Sequence, residues 1–313
     1  DLTILFRKYF GAFCAFMQAG AIRNGSAIGA NPYSLDWQRI WNMLLEVGKK
    51  LYAGDYVEYD TRFLTDVMMG LCEYIINPWY NDGEVNARIR MTLFAEIINS
   101  VHVYKNMVFE WIGSEPSGNP LTAFLNTMYT NVCKRMVWCI NGGNIADYRN
   151  HVRVIALGDD HVYCVSDEKA HLMKPDRVAE ALRLLGMDYT AADKTPCTGE
   201  FQDPSQLTFL KRSWRYEEIL GRMVAPLELA TIRESIQWTK VGEEGDRINQ
   251  ENFQNMLCEL SLHGKTVWER DAPFMREAFR RAYGTEHRIS TWRSAFSLVC
   301  AADSPYQASS LVF

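Results

Sequence analysis

The sequence predicts an α+β protein, and three observations carry that expectation. Long stretches with apolar residues at helical spacing, such as "SLDWQRIWNMLLEVGKKL" and "NPLTAFLNTMYTNVCKRMVWCI", alternate with short runs of β-branched and aromatic residues. Two of those runs, "HVRVIAL" and "HVYCVS", flank Gly158-Asp159-Asp160 as the arms of a hairpin would. From about Pro226 onward the pattern turns purely helical, with "LELATIRESIQWTK", "RINQENFQNMLCELSLHG" and "DAPFMREAFRRAYG" in succession, and this change marks a domain boundary.

Taken in order, the first twenty residues carry helical periodicity, and Ser34 and Asp36 offer caps for the helix that follows. "LYAGDYVEYD" begins as a strand, about Leu51 to Tyr56, and ends in acid. "TRFLTDVMMGLCEYII" and "EVNARIRMTLFAEIINSV" read as two helices separated by the turn-rich "NPWYNDGE". "HVYKNMVFEW" is an extended pair. Asn119 as cap and Pro120 at the first helical position, where a missing N–H costs nothing, open the long helix. After the Gly158 hairpin come a helix "KPDRVAEALRLLG" ending at Gly186, a short strand "MDYT", and a second hairpin from "QLTFLKRSW" and "EILGRMVAPL".

The 313 residues, 48% of them hydrophobic, suffice for one large core or a few smaller ones. A net charge of −5 argues against a surface that coats nucleic acid throughout, while leaving room for local basic groups, "FLKRSWR" and "MREAFRRA", each of which also reads as an ordinary solvated face. The eight cysteines form no CxxC pair and read as reduced thiols; His151, His161 and Cys164 match no common zinc spacing. No window approaches the ~18 apolar residues of a membrane span. The chain starts without Met or a signal segment and reads as a piece of a longer polypeptide.

Asp159 and Asp160 at a hairpin tip are either a polar turn or two carboxylates that need a cation or a proton between them. Asp55, at the end of a predicted strand, would join Asp159 in a hard-oxygen site suited to Mg²⁺ or Mn²⁺ if the two strands share a sheet. Asp60 is also placed to cap the next helix. Thr122 and Asn126 stand four apart on one helix face behind the Ser117-Gly118 loop, a solvated stripe or a set of groups that read a ribose hydroxyl.

The order D-x4-D, S-G-x3-T-x3-N-T, G-D-D, "YTAADKT" and "FLKR", running from Asp55 to Arg212, resembles the palm of the RNA-dependent RNA polymerases of positive-strand RNA viruses, most closely the picornavirus-like group of insect and marine viruses. "RNGSAIGANPYSLDW" and "MVAPLELATIRESIQWTK" are similar to the flanking segments. The resemblance implies a right-hand polymerase fold: an antiparallel palm sheet backed by helices, partial fingers and a helical thumb. Its divisions would be a fingers remnant at 1–16, palm at 17–95 and 115–222, a fingers insertion at 96–114, and thumb at 223–313.

It further implies that Asp55 and Asp159, assisted by Asp160, hold two Mg²⁺ or Mn²⁺ ions, and that Asp60, Ser117, Gly118, Thr122 and Asn126 recognise the nucleotide and its 2′-OH. A site built to bond a hydroxyl rejects the analogue lacking it. Lys194 would protonate the leaving pyrophosphate, although it also reads as a partner for Asp193. Lys211 and Arg212 would grip primer phosphates. Leu157 stands where many relatives have Tyr, and the family's basic finger motif would lie ahead of Asp1, which leaves this segment by itself a weak polymerase. The implied partners are RNA template and primer, NTPs and other viral replication proteins, at membrane-associated complexes in the host cytoplasm. Two rivals stay open: a reverse transcriptase-like polymerase, and a catalytically incomplete RNA-binding module.

Overall fold

The computed structural model describes residues 2–116, 118–237 and 243–301. It opens with α1 (Leu2–Ala19), whose Phe6, Phe10, Phe13 and Met17 recur at helical spacing on the buried face, and α2 (Asp36–Leu45). Strand β1 (Lys50–Tyr56) leads to α3 (Thr65–Leu71), a π-helical segment at Cys72–Ile76, and α4 (Asn77–Tyr80). Pro78 therefore does not end the helix as expected. It stands in the first turn of α4, where a missing N–H is tolerated, and the chain turns at Asn81, whose φ is 47°.

Next come α5 (Glu84–Ile98), the hairpin β2 (Asn99–Tyr104) and β3 (Met107–Ile112), and α6 (Thr122–Ile140). The Asn119 side chain accepts the Leu121 N–H at 2.8 Å in the turn ahead of α6. The helix itself begins at Thr122 with Leu121 as its cap, so Asn119 and Pro120 stand before it and not at its cap and first position as expected. The short α7 (Tyr148–His151) precedes β4 (Val152–Leu157) and β5 (Asp160–Val165), then α8 (Pro175–Leu184) and β6 (Tyr189–Ala191). Four strands form one antiparallel sheet in the order β4-β5-β1-β6.

Side chains alternate across a sheet, so each strand divides its residues between two faces. Tyr52 and Tyr56 of β1, Tyr163 and Val165 of β5, Val152 and Val154 of β4, and Tyr189 of β6 share a core with Leu125, Met128, Tyr129, Cys133 and Val137 of α6 and Val178 and Leu182 of α8. The core thus lies between the sheet and its helices, the layering expected of an α+β chain.

The remaining elements are the hairpin β7 (Arg215–Glu217) and β8 (Arg222–Val224), then α9 (Leu229–Glu234), α10 (Glu243–Ser261), α11 (Lys265–Tyr283) and α12 (Trp292–Ala301). "FLKR" is a tight turn rather than a strand: Leu210 and Lys211 take φ of 54° and 57°, and Phe209 and Arg212 exchange main-chain hydrogen bonds of 2.8 and 2.9 Å. Contacts divide the chain into two units, one of residues 1–30 and 42–203, the other of residues 31–41 and 204–313. A division at 223 would cut through β8 and part Met223 and Val224 from their partners on β7; the contact division comes earlier, at Pro204. Residues 238–240 of the expected helix "LELATIRESIQWTK" lie outside the described residues.

Candidate active site

Register places the acids. Gly54 of β1 pairs with His161 of β5, so Asp55 stands at the strand end beside the Gly158-Asp159 turn. Gly158 turns the chain with φ of 68°, a conformation that favours glycine. Asp159 is exposed, and its Oδ1 accepts the Asp160 N–H at 3.1 Å; Asp160 is half-buried. Asp55 Oδ2 is shielded from water and takes no hydrogen bond from a neutral donor; its charge is met by the ammonium of Lys194. Lys194 therefore leaves Asp193, whose carboxylate accepts the Thr195 N–H and hydroxyl instead.

The turn is tied down from beneath by α6. Thr127 Oγ1 accepts the Gly158 N–H at 2.9 Å, and Thr130 Oγ1 donates to the Gly158 carbonyl at 2.8 Å. The same helix carries Asn126, whose buried Oδ1 has no partner and whose Cβ lies within van der Waals reach of the space above Gly158. The Tyr59 hydroxyl donates to the Asn126 carbonyl at 2.7 Å, which links the Asp60 turn to this helix.

Asp60 is exposed, and its carbonyl accepts the N–H of Glu115 at 3.2 Å. Glu115 is only 2% exposed, with no partner for either carboxyl oxygen. Burial pushes its pKa up to about 7, and the Asp60 charge adds to that shift. Thr122 Oγ1 lies 3.4 Å from the Pro116 carbonyl, Gly118 takes φ of 94° with open space around it, and Ser117 lies outside the described residues.

A model of the family described as viral RNA-dependent RNA polymerase matches residues 1–277. The chain belongs to this family. It is 31% identical over 283 residues to the replicase polyprotein of cricket paralysis virus, covering 86% of this chain, and 31% identical over 308 residues to that of acute bee paralysis virus, covering 93%. It spans 16% of the length of each. Among solved structures, a Sicinivirus 3Dpol RNA-dependent RNA polymerase superposes with a TM-score of 0.79 at 19% identity, over 95% of this chain and 60% of the other, which establishes the right-hand polymerase fold.

In this member of the viral RNA-dependent RNA polymerase family the two basic residues of "FLKR" part company. Lys211 is exposed at the tip of its turn, whereas the Arg212 guanidinium forms two bonds to Glu259, at 2.9 and 2.6 Å, donates to the Ala225 carbonyl at 2.7 Å and lies over the Tyr33 ring. Its donors are directed inward, which leaves Lys211 as the exposed cation of this turn.

Sequence reasoning missed a polar layer under the sheet. Lys134 of α6 is fully buried, its Nζ has no hydrogen-bond partner, and it faces the rings of Tyr189, Tyr56 and Tyr163 at 4.2, 5.1 and 5.4 Å. Burial pushes its pKa down to about 7. His161, also fully buried, lies against Tyr56 and Tyr189. The i, i+3 pair Thr127 and Thr130 was visible on the predicted helix; Lys134 carried no signal, because a lysine among apolar residues reads as a surface residue.

Proposed function

We propose that this chain is the catalytic core of an enzyme that extends an RNA 3′ end along an RNA template. The 3′-OH attacks the α-phosphate of an NTP and pyrophosphate leaves. The observation that carries this is the adjacency of Asp55 and the Gly158-Asp159 turn at one end of the sheet, with Asn126 presenting an unpaired buried oxygen beside them. Among the described residues no three His, Cys, Asp or Glu side chains converge on one point, and the positive charge beside Asp55 is the Lys194 ammonium. The donors nevertheless fit a hard cation: Asp55 Oδ2 is a buried anionic oxygen that already draws a cationic group. Two Mg²⁺ or Mn²⁺ ions on Asp55 and Asp159, with Asp160, would supply charge stabilisation for the attacking and leaving oxygens.

The chain's own side chains do the rest. Asn126 Oδ1 accepts a hydrogen bond from the ribose 2′-OH, and Asp60, Thr122 and the Ser117-Gly118 loop complete the contact, which favours NTP over dNTP. Lys194, with its side chain 69% exposed, is free to swing from Asp55 and give a proton to the departing pyrophosphate. Lys211 holds a primer phosphate. The other partners are proteins released from the same polyprotein, and the place of action is a membrane-associated complex in the host cytoplasm. Among the described residues no helix is long and apolar enough to cross a membrane.

Primer extension by the full polymerase carrying this chain tests the reading. Asp159→Asn is expected to abolish extension, and an undiminished rate would overturn the assignment. Asn126→Ala is expected to lose the preference for NTP; an unchanged preference would move sugar recognition away from this helix.

A further inference from the structure

We propose that His161 is a positioning residue for nucleotide addition: fixed by Tyr189 as the Nδ1–H tautomer, it pins the main chain of Asp159 and so sets where that carboxylate stands. This inference rests on the polymerase reading of the site. His161 Nδ1 lies 2.6 Å from the Asp159 carbonyl oxygen, which can only accept, so the proton is on Nδ1. In that tautomer Nε2 is an acceptor, and the Tyr189 hydroxyl, 2.9 Å away, donates to it.

Tyr189 is itself held from two sides. Its ring lies 4.2 Å from the Lys134 ammonium and 5.2 Å from the Tyr56 ring. Its hydroxyl reaches His161 by crossing β1 at Gly54, the residue paired with His161, where any Cβ would overlap the Tyr189 hydroxyl and ring. Gly54 is not needed for a left-handed backbone, since its φ is not positive; it is needed for space. The residue before Asp55 is thereby the gap through which the tautomer behind Asp159 is set. Because Asp159 Oδ1 is bonded to the Asp160 N–H, the carboxylate follows its main chain.

Two amides separate this role from simple packing. In the full polymerase, His161→Asn places an N–H where Nδ1 stood and keeps the tether; His161→Gln places it where Nε2 stood and loses the tether. We expect H161N to retain wild-type kcat for single-nucleotide extension, and H161Q and Tyr189→Phe to lose about tenfold in kcat with the NTP KM unchanged, the worth of one buried hydrogen bond. ¹⁵N spectra of the wild-type enzyme are expected to show His161 protonated at Nδ1, and Y189F to show a mixture of tautomers. Equal kcat for H161N and H161Q, or a wild-type ring protonated at Nε2, would overturn the proposal. Asp159→Asn, assayed in parallel, separates the two failures: an inactive D159N beside an indifferent H161Q sinks only the positioning role, whereas an active D159N sinks the polymerase reading itself.

Discussion

Two regions a few residues apart treat charge in opposite ways. Above the sheet end, Asp159, Asp60 and Lys194 face water, and Lys194 pairs with the half-buried Asp55. Beneath it, Lys134 and His161 are sealed among tyrosines, and the environment works to neutralise them. Strand parity produces the contrast: successive residues of β1 and β5 face opposite sides, so Asp55 and its neighbour Tyr56 belong to different chemistries. The placement of the upper region depends on the bonds beneath it. An exposed carboxylate gains little from its own contacts, so its position is inherited from the buried bonds of Thr127, Thr130 and His161.

The largest effect should come from the upper region. Asp55→Asn keeps the shape and removes the charge; extension should fall ~10³-fold or more, about 4 kcal/mol in the barrier, with the melting temperature unchanged within error. A mutant that lost activity and stability together would show that Asp55 is a structural residue and would erase the contrast.

A smaller effect, on stability alone, should come from Lys134. With its pKa lowered to about 7 in the folded chain, the native state releases a proton that the unfolded chain retains up to about 10.5. Unfolding then takes up a proton throughout that window, so stability rises with pH from 7 upward, at most ~1.4 kcal/mol per unit. Thermal unfolding of Lys134→Met should lack this rise and start from higher stability at pH 7. Parallel curves for the two proteins would mean that Lys134 keeps its proton and that the tyrosine rings suffice to hold the cation.

The same contrast explains what was legible in the sequence. The acids, Asn126 and Lys194 stand in short ordered motifs, and the strand and helix around each were visible as periodicity, so the upper region could be assembled residue by residue. The lower region is made of residues 28 to 55 positions apart that pair only after the sheet forms: Lys134 with Tyr189, His161 with Tyr189 across Gly54. His161 was visible only as a poor zinc ligand, because nothing in its neighbours names Tyr189 as its partner. Arg212 misled for the complementary reason. Its motif announced a phosphate contact, while the carboxylate that takes its guanidinium, Glu259, stands on α10 far along the chain.

The smallest effect tests the border between the regions, at Glu115. It sits beside the water-facing Asp60 yet is as buried as the lower layer, with its pKa raised to about 7. Between about 4.5 and 7 the native chain holds a proton that the unfolded chain has released, so wild-type stability falls as pH rises through that window, by ~1 kcal/mol per unit or less. Glu115→Gln should abolish this fall and be the more stable protein at pH 8, by ~2 kcal/mol, while matching wild type near pH 4.5. If the variant instead tracks wild type at every pH, Glu115 is ionised in the native protein. It would then belong with the acids above the sheet, and the boundary between the two chemistries would lie one layer deeper, at Thr127 and Thr130.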